Sequence, residues 1–105
     1  MGLFDFGDKA MIKTKAYHVN VGVMQLANEL EKSNGILNPT IRGLVFTLKR
    51  ELNEIIQLSN KLSESDKMSI MIDMNGRSVQ FPAFLVTVKL ISNDLYNTTG
   101  LTLLD

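Results

Sequence analysis

The sequence predicts a mainly α (α+β) fold: a long antiparallel two-helix hairpin, then a β-hairpin turning at Asn75-Gly76, and a third helix packed on the pair. Three observations predict it. Two rows of apolar residues with helical spacing and matched length are joined by a short loop. An Asn-Gly dipeptide sits at the centre of an alternating apolar and polar segment. Pro82 opens a third stretch of helical spacing.

The first helix is expected over about 8–33. Ile12, Ala16, Val19, Val23, Leu26 and Leu30 recur at alternating steps of four and three, the seam of a packed helix. Asp8 suits the positive end of the helix dipole, which places the start near it. Lys32 suits the last turn, and Gly35 can adopt the left-handed conformation that ends a helix. Gly22 lies inside and costs about 1 kcal/mol relative to Ala, so it is expected where another part of the chain comes close. The second helix is expected over about 39–63. Asn38 is a good N-cap and Pro39 fits the first helical position. Ile41, Val45, Leu48, Leu52, Ile55 and Leu62 repeat the seam, with Ser59 in its one polar slot. A short connection between two helices of this length makes them antiparallel neighbours.

The β-hairpin is expected over about 68–81. Centred on Asn75-Gly76, its register sets Ile72 opposite Val79 and Ile70 opposite Phe81 on one side. Asp73 then faces Ser78, and Met71 faces Gln80, on the other. A short helix from about 66 to 74 competes with this reading. The third helix is expected over about 83–97, with Phe84, Leu85, Val88, Ile91, Ser92 and Leu95 on its inner face. Val86 and Leu90 make its first half apolar nearly all round, which predicts a largely buried helix. Gly100 ends it, and the apolar tail Leu101, Leu103 and Leu104 needs cover.

At 105 residues the chain is one domain's worth. An apolar fraction of 45% against 21% charged marks a globular chain rather than a disordered one. Eleven basic residues balance eleven acidic ones. A nucleic-acid binder usually carries a basic excess, so nucleic acid is an unlikely partner. A neutral surface does little to keep copies apart, which favours a homodimer. The absence of Cys excludes disulfides, thiolate metal sites and Cys nucleophiles, and it fits a reducing compartment. With no signal-peptide pattern and no apolar run long enough for a transmembrane segment, the expected location is cytoplasmic.

The inventory for chemistry is thin. One His and no Cys, with no metalloprotease, P-loop, dinucleotide or nucleophile-elbow motif, predict no enzyme activity, no cofactor and no metal. The stretch "DMNG" lacks the later ligands of a calcium loop. "HVNVG" at 18–22 is faintly similar to the phosphorylated-histidine motif of phosphotransfer domains. Val21 stands where that pattern has Lys, and His18 is expected to face solvent.

The candidate interaction surface is apolar. Tyr17, Val21 and Met24 give the first helix a second stripe beside its seam. Met68, Met71 and Met74 form a Met-rich group, read first as core filler; Met68 and Met71 are also candidates for an adaptable binding surface. Leu3, Phe4 and Phe6 open the chain and are read as a lead-in packed on the fold or on a dimer mate, with Phe6 stapled to Met11 ahead of the helix. The expected function is a small non-catalytic protein–protein interaction protein, an adaptor or an inhibitor, with an unidentified protein partner. A small-molecule binder with an apolar pocket between helices and ribbon, lined by Met and Phe, is the first alternative. Nucleic-acid or membrane-surface association through Lys9, Lys13 and Lys15 of the basic N-terminal helix is the second.

Overall fold

The computed structural model describes residues 3–104, with side chains from Gly7 onward. Six elements follow in order: α1 (Leu3–Lys32), α2 (Pro39–Ser59), α3 (Glu64–Ser69), β1 (Met71–Met74), β2 (Arg77–Gln80) and α4 (Phe81–Thr99). The helix hairpin, the ribbon and the packed final helix are those the sequence predicts. The molecule is elongated, 48 × 24 × 18 Å, because α1 alone is 30 residues long.

The seam of the hairpin is as spaced in the sequence. Ile12, Ala16, Val19 and Leu26 of α1 are buried with Ile41, Val45, Leu48, Leu52 and Ile55 of α2. Val23 and Leu30 flank them, half-buried. The polar slot at Ser59 is filled without cost to hydrogen bonding, because its hydroxyl donates to the Ile56 carbonyl at 2.8 Å. Asn38 caps α2 by accepting from the Ile41 amide at 2.9 Å. Gly35 adopts φ +79°, and its amide closes on the Leu30 carbonyl at 2.9 Å, which ends α1.

Helix boundaries differ from expectation: α4 runs over 81–99 rather than about 83–97, and the earlier helices differ at three further places. The first helix starts at Leu3 rather than near Asp8, so Phe6 lies within the helix instead of ahead of it as a staple. The packing predicted for the Leu3, Phe4 and Phe6 side chains lies outside the described residues. The second helix ends at Ser59, not 63, and Leu62 reaches the core from the turn that follows. "SESD", expected only as a break, opens α3: the Ser63 hydroxyl accepts from the Asp66 amide at 3.1 Å. The helix competing for 66–74 and the ribbon thus share that segment, with the helix ending at Ser69.

The ribbon has the predicted register. Met71 pairs with Gln80, Ile72 with Val79 and Asp73 with Ser78. Asn75 and Gly76 both take positive φ, +56° and +87°, and the Asp73 carboxylate accepts from the Gly76 amide at 2.9 Å. The ladder runs one step past the strands, where the Phe81 amide donates to the Ile70 carbonyl at 3.0 Å. Phe81 is therefore the last rung of the ribbon and the first residue of α4. Its ring stacks at 6.3 Å on that of Phe84, and both are buried.

The exposure of α4 corrects the sequence reading. Phe84, Val88, Ser92 and Leu95 are buried, but Val86 and Leu90 are each 60% exposed. Only one side of the helix meets the α3–ribbon layer and α2, so an apolar residue on the far side finds nothing to cover it. The Met-rich group is corrected too. Met68 and Met71 are exposed, and only Met74 packs on the core. The C-terminal tail does find cover: Leu103 is buried, and Leu101 and Leu104 are half-buried. The Ser92 hydroxyl accepts from the Leu103 amide at 2.8 Å and from the Leu104 amide at 3.2 Å.

Two lysines strap α1 to its neighbours through ion pairs. Lys9 meets Asp66 of α3 at 3.0 Å. Lys15 donates to Glu54 of α2 and lies 3.6 Å from Glu51. The hydrogen bond from Lys15 holds the Glu54 carboxyl below its ordinary range, and Lys9 does the same for Asp66. Glu54 in turn raises the Lys15 ammonium.

Two outcomes follow. Ser92→Ala strips two covered backbone amides of their acceptor and should cost about 2 kcal/mol. Hydrogen exchange at Leu103 and Leu104 should speed up with it, and unchanged exchange there would refute the tie. Carboxylates whose folded pKa is depressed stabilise the fold above their ordinary range. That contribution is lost as pH falls through the folded value, which lies below the ordinary range of each carboxyl. The stability of a Glu54→Gln, Asp66→Asn double variant should therefore fall less steeply in acid than that of the parent, measured by denaturant titration at each pH.

Candidate functional site

The outer side of α1 is the site the structure assembles from the predicted residues. The helix is held on one flank by α2, through the seam, and on the other by β1. The ribbon tip is fixed there by Asn20, whose Nδ2 donates to the Asn75 side-chain oxygen at 3.3 Å. The third side faces out. It carries Tyr17, Val21 and Met24, which are 54%, 36% and 50% exposed. Steps of four and three put them in one row on one helix face.

This row forms a ridge between two open grooves. On the α2 flank a groove of about 390 Å³ runs past His18, Gly22, Gln25, Leu44, Thr47 and Glu51. On the ribbon flank a groove of about 400 Å³ is lined by Asn20, Met24, Asn28, Asp73 and Asn75. Tyr17 and Val21 line both. Of the other predicted residues, Met71 lies on the outward side of β1 with Asp73, as strand alternation requires. Met68 belongs to α3, and the grooves beside Tyr17 do not include it.

The groove on the ribbon flank is where the small-molecule alternative expects an apolar pocket. It holds one Met and no Phe, and its rim is made of amides and a carboxylate. Phe81 and Phe84 lie in the core instead. The sequence does not reveal Asp73 or Asn75 as neighbours of Tyr17, because that proximity is made by the ribbon folding back over more than fifty residues. Leu44 does leave a trace, as an apolar residue beside the seam of α2.

His18 and Glu51 are polar groups lining the groove on the α2 flank. His18 is exposed, as the sequence predicts, and its ring lies tilted at 6.3 Å from that of Tyr17. Glu51 has one carboxylate oxygen buried without a hydrogen-bond donor, with the Lys15 ammonium 3.6 Å from it. Of the three lysines expected to make a basic patch, Lys9 and Lys15 are drawn into ion pairs with acids. Among the described residues, no group of three His, Asp or Glu side chains is placed to hold a metal ion. None of the described helices is long and apolar enough to cross a membrane.

Gly22 sets the depth of the groove on the α2 flank. A Cβ there would stand 2.5 Å from Leu48 Cδ2 and 3.3 Å from Cγ, so the close neighbour is a side chain of the facing helix. Overpacking costs about 1–3 kcal/mol and offsets the gain of about 1 kcal/mol in helix propensity. Gly22→Ala should thus destabilise on the order of 1 kcal/mol in the parent and stabilise in a Leu48→Ala background. Equal effects in both backgrounds, measured by chemical denaturation, would refute the contact. Comparison with protein-family models, with curated proteins and with solved structures yields no match to this chain.

Proposed function

We propose that this protein is a small non-catalytic interaction protein, and that the outer face of α1 is its docking surface. The observation that carries the reading is the exposed row Tyr17, Val21 and Met24, raised between two grooves on a helix anchored along both flanks. Single exposed apolar residues are ordinary, but a contiguous aromatic and aliphatic row on a rigid element is what a partner buries. Tyr and Met are also residue types enriched at interfaces.

The surroundings favour a macromolecule over a small apolar ligand. Both grooves are open, and their rims carry Gln25, Thr47, Asn20 and Asn28, a polar border around an apolar centre. With Lys9 and Lys15 paired, the N-terminal helix offers little of the basic stripe that nucleic acid or an anionic membrane would need. The lack of Cys suits a cytoplasmic setting. A second copy of the chain is the first partner to test.

A photo-crosslinking residue at Val21 should trap a protein partner in cells, and one at exposed Ser65 on α3 should not. Equal labelling at the two positions would overturn the assignment. Tyr17→Asp and Met24→Glu should abolish trapping at Val21 while leaving the melting temperature within about 2 °C of the parent, as surface changes do.

A further inference from the structure

The outer face of α1 carries a ridge between two grooves, with a lysine near one end and a glutamate near the other. Resting on the docking surface proposed above, we infer that it receives a second copy of this chain, antiparallel across a two-fold axis, with Lys13 of each copy facing Glu31 of the other. Lys13, Tyr17, Asn20, Met24, Ala27 and Glu31 follow one another at steps of four and three, so they form a single row along the helix. The row is basic at one end, acidic at the other and uncharged between. Lys13 and Glu31 are both exposed, and neither enters an ion pair among the described residues.

This arrangement selects an orientation. In a parallel pair, Lys13 meets Lys13 and Glu31 meets Glu31, and both contacts repel. In an antiparallel pair each lysine meets a glutamate, and the two-fold axis makes that contact twice. The axis crosses the row between Asn20 and Met24, midway between 13 and 31 and on the side of the helix away from buried Gly22. Tyr17 then lies over the partner's Ala27, and Asn20 over the partner's Met24. The large side chain meets the small one at each crossing.

The surface offers both a ridge and grooves. The Tyr17, Val21 and Met24 ridge is bordered by grooves of similar volume, about 390 and 400 Å³. Two helices pack when the ridge of one enters the groove of the other, and a two-fold pair offers each ridge its partner's groove. Formal net charge zero leaves no long-range repulsion between copies. Apolar burial supplies affinity in this interface, and the Lys13–Glu31 contacts supply direction.

The chain carries its own crosslinking test. Within one copy, Lys13 and Glu31 are 18 residues apart on a continuous helix, about 27 Å, so a zero-length carbodiimide cannot join them. Treatment of the full chain at roughly 100 µM, where a modest dimer populates, should yield a Lys13–Glu31 amide. A mixture of isotopically light and heavy chains should show that amide joining separate copies. Lys13→Glu should weaken the dimer about tenfold by sedimentation equilibrium, and Lys13→Glu with Glu31→Lys should restore it. A dimer without the Lys13–Glu31 amide, or one indifferent to the charge reversal, would overturn the orientation. A monomeric parent would overturn the second copy as the occupant. If the residue at position 21 still trapped another protein in that case, the docking surface itself would stand; if it trapped nothing, both would fall.

Discussion

Everything in this structure hangs on the seam between α1 and α2. Ile12, Ala16, Val19 and Leu26 on one side and Ile41, Val45, Leu48, Leu52 and Ile55 on the other are all buried there. Burying each large aliphatic side chain contributes about 1.5–3 kcal/mol, so this row outweighs any other single feature of a chain this size. Gly22 lets the helices close, and Leu48 occupies the space it leaves. Because α1 has 30 residues and α2 has 21, the seam holds only part of the longer helix. The remainder must find other partners, and it finds two: the ribbon on its second flank and α3 through Lys9.

The ribbon transmits the order of the hairpin to the rest of the chain. A two-stranded ribbon is marginal in water, and this one persists because Ile70, Ile72 and Phe81 are drawn into the same core. Phe81 joins two roles, as the last rung of the ladder and the first residue of α4. A slip of register by one residue would turn Ile72 and Val79 outward and move Phe81 out of the core at the same step. The position of α4 is therefore set by the turn at Asn75-Gly76. Ser92 then fastens the C-terminal tail across α4 through two backbone amides, so the apolar end of the chain is covered by the chain itself.

Charge placement explains why the outer face of α1 is left for an interaction. Acids on the flanks of α1 are engaged by its lysines, Asp66 with Lys9 and Glu51 and Glu54 with Lys15. Those pairs lie on the flanks and hold the helix in place. Along the row on the exposed face the middle residues are uncharged, and Lys13 and Glu31, which enter no ion pair among the described residues, stand at its two ends. Such a surface gives weak electrostatic attraction to polyanions and a clear polarity to any partner that lies along it.

Local pattern determined the hairpin, its caps and the ribbon register, because each depends on residues close in sequence. Asn38 and Pro39 start α2, Gly35 and Gly100 end helices, and Asn75-Gly76 turns the ribbon, all by short-range geometry. The same logic put Tyr17, Val21 and Met24 on one face and identified it as surplus to the seam. Tertiary structure decided what covers each face. Nothing local distinguishes Val86 and Leu90, which stay exposed, from Leu85 and Val88, which do not. Nothing local announces that Lys9 will meet Asp66, or that Asp73 and Asn75 will border Tyr17, since those contacts join residues more than fifty positions apart. Periodicity states which residues share a side of a helix; which sides are buried depends on how many neighbours the fold supplies, and α1 and α4 were each supplied one too few.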